Sequence, residues 1–147
     1  MDALDLRVRN HVYHRFVDLV RAPTVDEVAV ELELAQDETE AAFRRLHDAH
    51  ALVLEPDSST IRMLHPFSCV PTAHRVDADG RSWFASCAWD AFGIPAALGV
   101  DGRVSSACPD CGDAIAFEVV ARRAAPDDLP VHFQVPAGRW WDDIVFT

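Results

Sequence analysis

Apolar residues recur with helical spacing along the first part of the chain. From Asp2 to Arg21 they recur every three or four positions, which predicts one helix with a buried face. Thr24 followed by Glu27 is a capping-box pattern that predicts the start of a second helix. Asp37 followed by Glu40 predicts a third helix, with Asp37 as its N-cap.

A hairpin pattern follows the predicted helices. Ala51–Leu54 and Thr60–Leu64 are typical of strands, and residues 56–59 (PDSS) between them are typical of a turn. Three helices and a hairpin are the order of a winged helix-turn-helix domain. The prolines of a linker around residues 65–75 place a boundary there, which predicts a winged-helix-like domain over residues 1–70 and a second domain over 71–147.

The second half has a different pattern. Trp83–Phe92 is a mostly apolar run that predicts a buried helix, ended by Gly93 and Pro95. Alternating segments predict strands at Arg103–Ala107, Ala114–Val120 and Val131–Val135. The fold class expected is therefore α+β, with antiparallel strands around the Cys87 helix.

Charge argues against a nucleic-acid-coating role. The 147 residues carry 13 basic and 24 acidic side chains, a formal net charge of −11, and every basic residue is arginine. Phosphate binding needs clustered positive charge. A DNA-reading third helix would use the basic residues Arg44, Arg45, His47 and His50. Because residues 1–65 hold seven arginines against thirteen acids, a structural or dimerising winged helix is favoured.

The compartment expected is the cytoplasm. No apolar run approaches the ~20 residues that a membrane span needs, and the first six residues carry two aspartates where a signal peptide has basic residues. Cytoplasmic thiols stay reduced, so the four cysteines are first interpreted as metal ligands or reactive thiols.

Cys87 and Asp90 are the first candidate pair. Three positions apart on a predicted helix, they are expected to share one face, ringed by Trp83, Trp89 and Phe92. Spacing alone also allows a purely structural role for both residues. A buried cysteine often behaves as a small hydrophobe, and an aspartate near a helix end is often a cap.

Cys108-x-x-Cys111 in a predicted turn resembles half of a zinc knuckle. A structural zinc needs four ligands, and the chain has no second such motif. Residues that only the fold could bring there are His65, Cys69, His74 and His132. A disulfide and two free thiols are the alternatives, and Cys69 itself is interpreted as a packed residue. The run at residues 140–143 (WWDD) is interpreted as core with solvated acids.

Residues 80–96 (GRSWFASCAWDAFGIPA) resemble the active-site segment of the alkylmercury (organomercurial) lyases. In that family a Cys-Ala-x-Asp run is followed by an apolar-Pro-Ala step. Residues 103–108 (RVSSAC) look like the strand and further cysteine that follow it. The resemblance extends to the winged-helix-like region and implies an alkylmercury-lyase-like second domain.

The resemblance implies protonolytic cleavage of a carbon–mercury bond, giving a hydrocarbon and thiol-bound Hg(II), an activity of mercury resistance. Cys87 matches the cysteine that captures the organomercurial, and Asp90 matches the carboxyl that takes part in proton transfer. No cofactor is required. Low-molecular-weight thiols or a mercuric reductase would accept the Hg(II), and a homodimer is compatible with the sequence. Cys108 matches a family cysteine that looks structural, while Cys111 is an addition that makes a Cys108–Cys111 metal pair conceivable.

The family also uses a second active-site cysteine, expected at or just beyond residues 144–147, where this sequence has none. Either the sequence is a piece of a longer protein, or it is a member without that thiol, for which Cys69 or Cys111 would have to substitute. The rivals to an enzyme are a non-catalytic thiol metal sensor or carrier on the same fold, and a winged-helix regulator that senses a ligand.

Overall fold

The helices of the first half form as the spacing predicts. The structure is a computed structural model that describes residues 1–126, 128 and 130–145. Its first three helices are α1 (Ala3–Leu19), α2 (Val25–Leu32) and α3 (Gln36–Asp48). The capping box predicted at Thr24 is confirmed, because its side chain accepts from the Glu27 N–H while the Glu27 carboxylate accepts from the Thr24 N–H.

The cap predicted for α3 is wrong by two residues. The cap position is Ala35, which offers no side-chain hydrogen bond, and Asp37 lies inside the first turn. There its negative charge still favours the helix, because the unpaired N–H groups of a helix start carry partial positive charge. The Thr39 hydroxyl donates to the Ala35 carbonyl at 3.0 Å and ties the turn to the preceding chain.

One antiparallel sheet connects the two halves of the chain. Its strands are β1 (Val53–Leu54), β2 (Ile61–Leu64), β3 (Phe67–Ser68), β4 (Arg75–Ala78), β5 (Arg81–Ala85), β6 (Gly102–Ala107), β7 (Ala114–Val120) and β8 (Arg123–Ala125). They lie in the order β1-β2-β3-β5-β4-β6-β7-β8. The α+β class is therefore confirmed. The order of three helices and a hairpin is observed, while the winged-helix assignment and the division at residue 70 stay predictions.

The helix predicted over Trp83–Phe92 is wrong in its first half. That part belongs to β5, in which Trp83 and Ala85 are buried and Phe84 between them is less so. The helix α4 occupies Ala88–Leu98 and does not stop at Gly93 or Pro95.

The Pro95 side of α4 packs closely against β6. The Pro95 ring lies so close to β6 that a Cβ on Gly102 would stand 2.8 Å from its Cγ. The helix ends instead at Gly99, whose φ of +71° is the left-handed conformation that glycine adopts without strain.

The strand predicted at Val131–Val135 is also wrong. This segment has no regular structure, and a 3₁₀ helix follows at Ala137–Asp142. Within the described residues, no helix combines the length and the apolar character that a membrane span requires.

The core runs from the helices into the sheet. The rings of Phe16 on α1 and Phe67 on β3 are 5.1 Å apart, and Phe67 is 6.0 Å from Trp83 on β5. The Tyr13 hydroxyl shares its one proton between the carbonyls of Ala51 and His65, at 3.1 and 3.2 Å. These contacts fix the segment before β3 against α1, and β3 in turn pairs with the strand that leads to α4.

A buried carboxylate joins α1 to α3, and its removal tests the packing of the helices. The Asp5 side chain is 3% exposed, accepts a hydrogen bond from Arg45 Nε at 2.9 Å and lies 2.7 Å from Arg45 Nη2. We expect Asp5→Ala to lower the free energy of unfolding near neutrality by about 2 kcal/mol, because Arg45, itself 43% exposed, is only partly desolvated. Chemical denaturation measures this, with Asp18→Ala, an exposed acid on α1, as control.

The pH dependence of that loss follows from the pKa of Asp5. The hydrogen bond from Arg45 holds this pKa below its ordinary value of 3.8. A lowered folded-state pKa gives stability that is present above the ordinary value and disappears as the pH falls through the lowered one. The difference between wild type and Asp5→Ala should therefore shrink below about pH 4. An unchanged difference under acid conditions would contradict an ionic origin.

Candidate active site

Cys87 lies at the turn between β5 and α4. Just before it, the Ser86 N–H donates to the Pro66 carbonyl and the Ser86 hydroxyl donates to the Phe67 carbonyl, both at 3.2 Å. These bonds end the strand and turn the chain. Cys87 is then the N-cap of α4, with an extended backbone (φ −149°) and a sulfur that accepts from the Asp90 N–H at 3.4 Å.

The predicted pairing of Cys87 with Asp90 occurs, for a different geometric reason. The Cys87 thiol donates to Asp90 Oδ2 at 3.4 Å. The two residues do not share a face of one helix, because Cys87 precedes the helix and Asp90 is its third residue. A cap and the third residue reach back to each other in the manner of a capping box. The local backbone therefore brings thiol and carboxyl together.

Burial controls the protonation of the thiol. Partial burial raises the pKa of Cys87 to about 11, the Asp90 N–H lowers it, and the Asp90 carboxylate raises it further. Near neutral pH the sulfur therefore carries its proton, and that proton is directed at Asp90.

One histidine lies beside Asp90, and a second lies just before β4. His65 Nδ1 is 3.9 Å from Asp90 Oδ2. His74 Nδ1 is 2.8 Å from the hydroxyl of Ser106 on β6, and burial lowers the pKa of His74 although the charge of Asp90 opposes this. From the sequence, His65 and His74 are candidates only as further ligands for a zinc at Cys108 and Cys111. The location of His65 beside Asp90 has no local signal, since it depends on the pairing of β2, β3 and β5.

The predicted aromatic ring around the pair is only partly present. Trp83 is buried, and Phe92 stacks on Phe117 with ring centroids 4.4 Å apart. Trp89 is 58% exposed, so its inclusion in a buried ring is wrong. Its ring centroid lies 6.3 Å from that of Phe133.

The 3₁₀ helix brings the WWDD run to the outside of the protein. Trp141 is half-buried and stacks on His50, with ring centroids 3.8 Å apart, and its edge meets His65 at 5.7 Å. Asp142 is exposed, as expected of a solvated acid, and accepts from Arg139.

Helix α3 offers little unpaired positive charge. Arg44 lies 2.8 Å from Glu40, and Arg45 is held by Asp5. Both arginines that a DNA-reading helix would use are thus already ion-paired with carboxylates.

The four cysteines are free thiols in different surroundings. Cys108 and Cys111 lie in the β6–β7 turn. Cys69 packs against the core, and burial raises its pKa to about 12. In the part of the chain that the structure describes, no three His, Cys, Asp or Glu side chains are grouped to hold a metal. The predicted zinc site therefore gains no further ligand from these residues and stays a prediction.

A thiol and a carboxyl in contact at a helix start, supported by an antiparallel sheet, define a thiol–carboxyl site. The family model for alkylmercury lyase, MerB, matches residues 67–147, which is more than half of the chain. The chain therefore belongs to the alkylmercury lyase family.

A solved structure shares the fold. The chain resembles the mercury-bound form of MerB2 with a TM-score of 0.68 and 21% sequence identity, over 86% of this chain and 62% of that one. The chain thus spans less than two thirds of the length of that relative. No curated protein matches the chain.

Proposed function

We propose that the protein is an organomercurial lyase that cleaves carbon–mercury bonds by protonolysis. Cys87 binds the mercury of the substrate, and Asp90 carries the proton to the leaving carbon. The observation that carries this proposal is the 3.4 Å contact between the Cys87 thiol and Asp90 Oδ2. Membership of the family supports the same reaction.

Capture of the substrate exchanges a proton for mercury. Mercury is a soft ion that prefers sulfur ligands. When the Cys87 sulfur bonds to the mercury of R–Hg–X, the anion X⁻ leaves and the thiol proton passes to the Asp90 carboxylate, its hydrogen-bond acceptor. The thiol loses its proton despite its high pKa, because a bound metal stabilises the thiolate.

Cleavage uses that same proton. The carbon–mercury bond breaks, its electron pair takes the proton from Asp90, and the hydrocarbon R–H leaves. The carboxylate is regenerated beside Hg(II), which stays bound to the Cys87 sulfur. A proton donor held beside the reacting atoms accelerates such a step through proximity and general acid catalysis. Low-molecular-weight thiols, or a mercuric reductase, would then remove the Hg(II).

A second candidate is a soft-metal sensor or carrier on the same fold. The observation that favours it is the role of Cys87 as the N-cap of α4, which gives this cysteine a structural purpose without any reaction. A single thiol also binds mercury without breaking a carbon–mercury bond.

The two candidates are separated by one incubation. Reduced protein is mixed with phenylmercury chloride and an excess of a small monothiol, and benzene is measured in the headspace. A lyase releases several molecules of benzene per chain, above a mixture without protein. Stoichiometric mercury binding without benzene would rule out the lyase and leave the sensor or carrier.

A further inference from the structure

The turn between β6 and β7 presents two thiols outside the Cys87 site. The turn is closed by the Cys108 N–H donating to the Asp113 carbonyl and the Gly112 N–H donating to the Cys108 carbonyl, both at 2.9 Å. Gly112 adopts a φ of +77°, which the turn needs and glycine allows. Cys111 is exposed and Cys108 is partly exposed, so both sulfurs are open to a ligand from solvent.

The turn also favours negative charge on one sulfur. Backbone N–H groups of Cys111 and Asp110, together with the Cys111 thiol, lower the pKa of Cys108. Cys111 is exposed, whereas Cys108, like Cys69 and Cys87, is partly exposed. Cys111 is thus the most accessible thiol of the four.

The number of ligands selects the class of ion. A structural zinc takes four ligands in a tetrahedron, and the described residues supply no third His, Cys, Asp or Glu to these two thiols. Soft ions such as Hg(II) bind strongly to thiolates and are satisfied by two of them in a line. Two thiols on one turn also bind Hg(II) more tightly than two separate monothiols do, because the second sulfur binds intramolecularly.

The pair lies at the same end of the sheet as Cys87. Arg75 on β4 pairs with Phe84 on β5 and with Ser105 on β6. Strand β5 leads into Cys87 and β6 leads into Cys108, so both chain segments leave the sheet at this end.

We propose that Cys108 and Cys111 form a second site for Hg(II), in which the ion is held between two thiolates. Binding of HgX₂ forms two sulfur–mercury bonds and releases two X⁻ and two protons, with no oxidation or reduction. The choice of Hg(II) rests on the proposed function, which produces this ion. Binding itself requires only the ion and the two thiols.

The test adds Hg(II) directly, so that no carbon–mercury cleavage is needed. Cys87→Ser removes the first site and keeps a residue that caps helices well. This variant is loaded with mercuric chloride in excess small monothiol and desalted, and mercury is counted per chain. We expect about one retained ion, lost when Cys111→Ser is added, together with the sulfur-to-mercury absorption band. Glu118→Gln, an exposed change on β7, is the matched control and should retain the ion.

Three outcomes would overturn the proposal. The Cys87→Ser variant could retain no mercury, or the added Cys111→Ser change could leave retention unaltered. Under parallel dialysis, zinc could be retained in preference to mercury, which would mean a four-coordinate site. Failure of benzene release by the wild type leaves all of these measurements valid, so the two proposals fail separately.

Discussion

Replacing Cys87 with serine is expected to abolish hydrocarbon release from phenylmercury, reducing its rate by at least about a thousandfold. A hydroxyl oxygen is a hard ligand and does not replace a thiolate on mercury. The helix should still form, because serine is among the best N-cap residues and its oxygen can accept from the Asp90 N–H as the sulfur does. Benzene in the headspace measures the rate, and circular dichroism checks the fold.

Cys69→Ala is the matched control for this change. It also removes a thiol, but one that packs against the core and whose pKa burial raises to about 12. We expect its cleavage rate to stay within about twofold of wild type, since losing a small buried group costs stability more than chemistry. Equal loss in both variants would assign Cys69 to the reaction as a second thiol. Full activity of Cys87→Ser would remove Cys87 from the mechanism.

The parts of the fold that the sequence predicts correctly are those determined by neighbouring residues. The capping box at Thr24 and the spacing in α1 are local signals, and both helices form where expected. Strand β3 has only two residues, so it has no periodicity, and its register comes from pairing with β2 and β5. The run Trp83–Phe92 is apolar enough for a strand or a helix, and the sheet divides it between the two.

The sequence predicts only part of the candidate site, because only local contacts leave a signal in neighbouring residues. Cys87 and Asp90 are three residues apart, and any helix start at that point brings them together, whether or not they share a face. His65 is far from Asp90 in sequence and reaches it only through the sheet. The exposure of Trp89 depends on where α4 begins, which the apolar pattern places too early.

Replacing Asp90 with asparagine should separate mercury capture from cleavage. Asparagine keeps the backbone N–H that donates to the Cys87 sulfur, but its side chain cannot accept and return the thiol proton. We expect hydrocarbon release to slow by about 10²–10⁴-fold, the usual contribution of a general acid. A Cys87–Hg–phenyl adduct should accumulate, visible by mass spectrometry of the intact chain, while benzene appears slowly.

The thiol of the same variant should become more reactive, which excludes general damage as the cause. The Asp90 carboxylate raises the pKa of Cys87, so its neutralisation lowers that pKa and speeds alkylation of Cys87 at neutral pH. Asp77→Asn, which removes a partly exposed carboxylate paired with Arg75 on β4, is the control and should change neither rate. If Asp90→Asn released benzene as fast as wild type, the proton would have to come from elsewhere. If both alkylation and cleavage slowed, the change would have disturbed the start of α4, and Asp90 would be a capping residue alone.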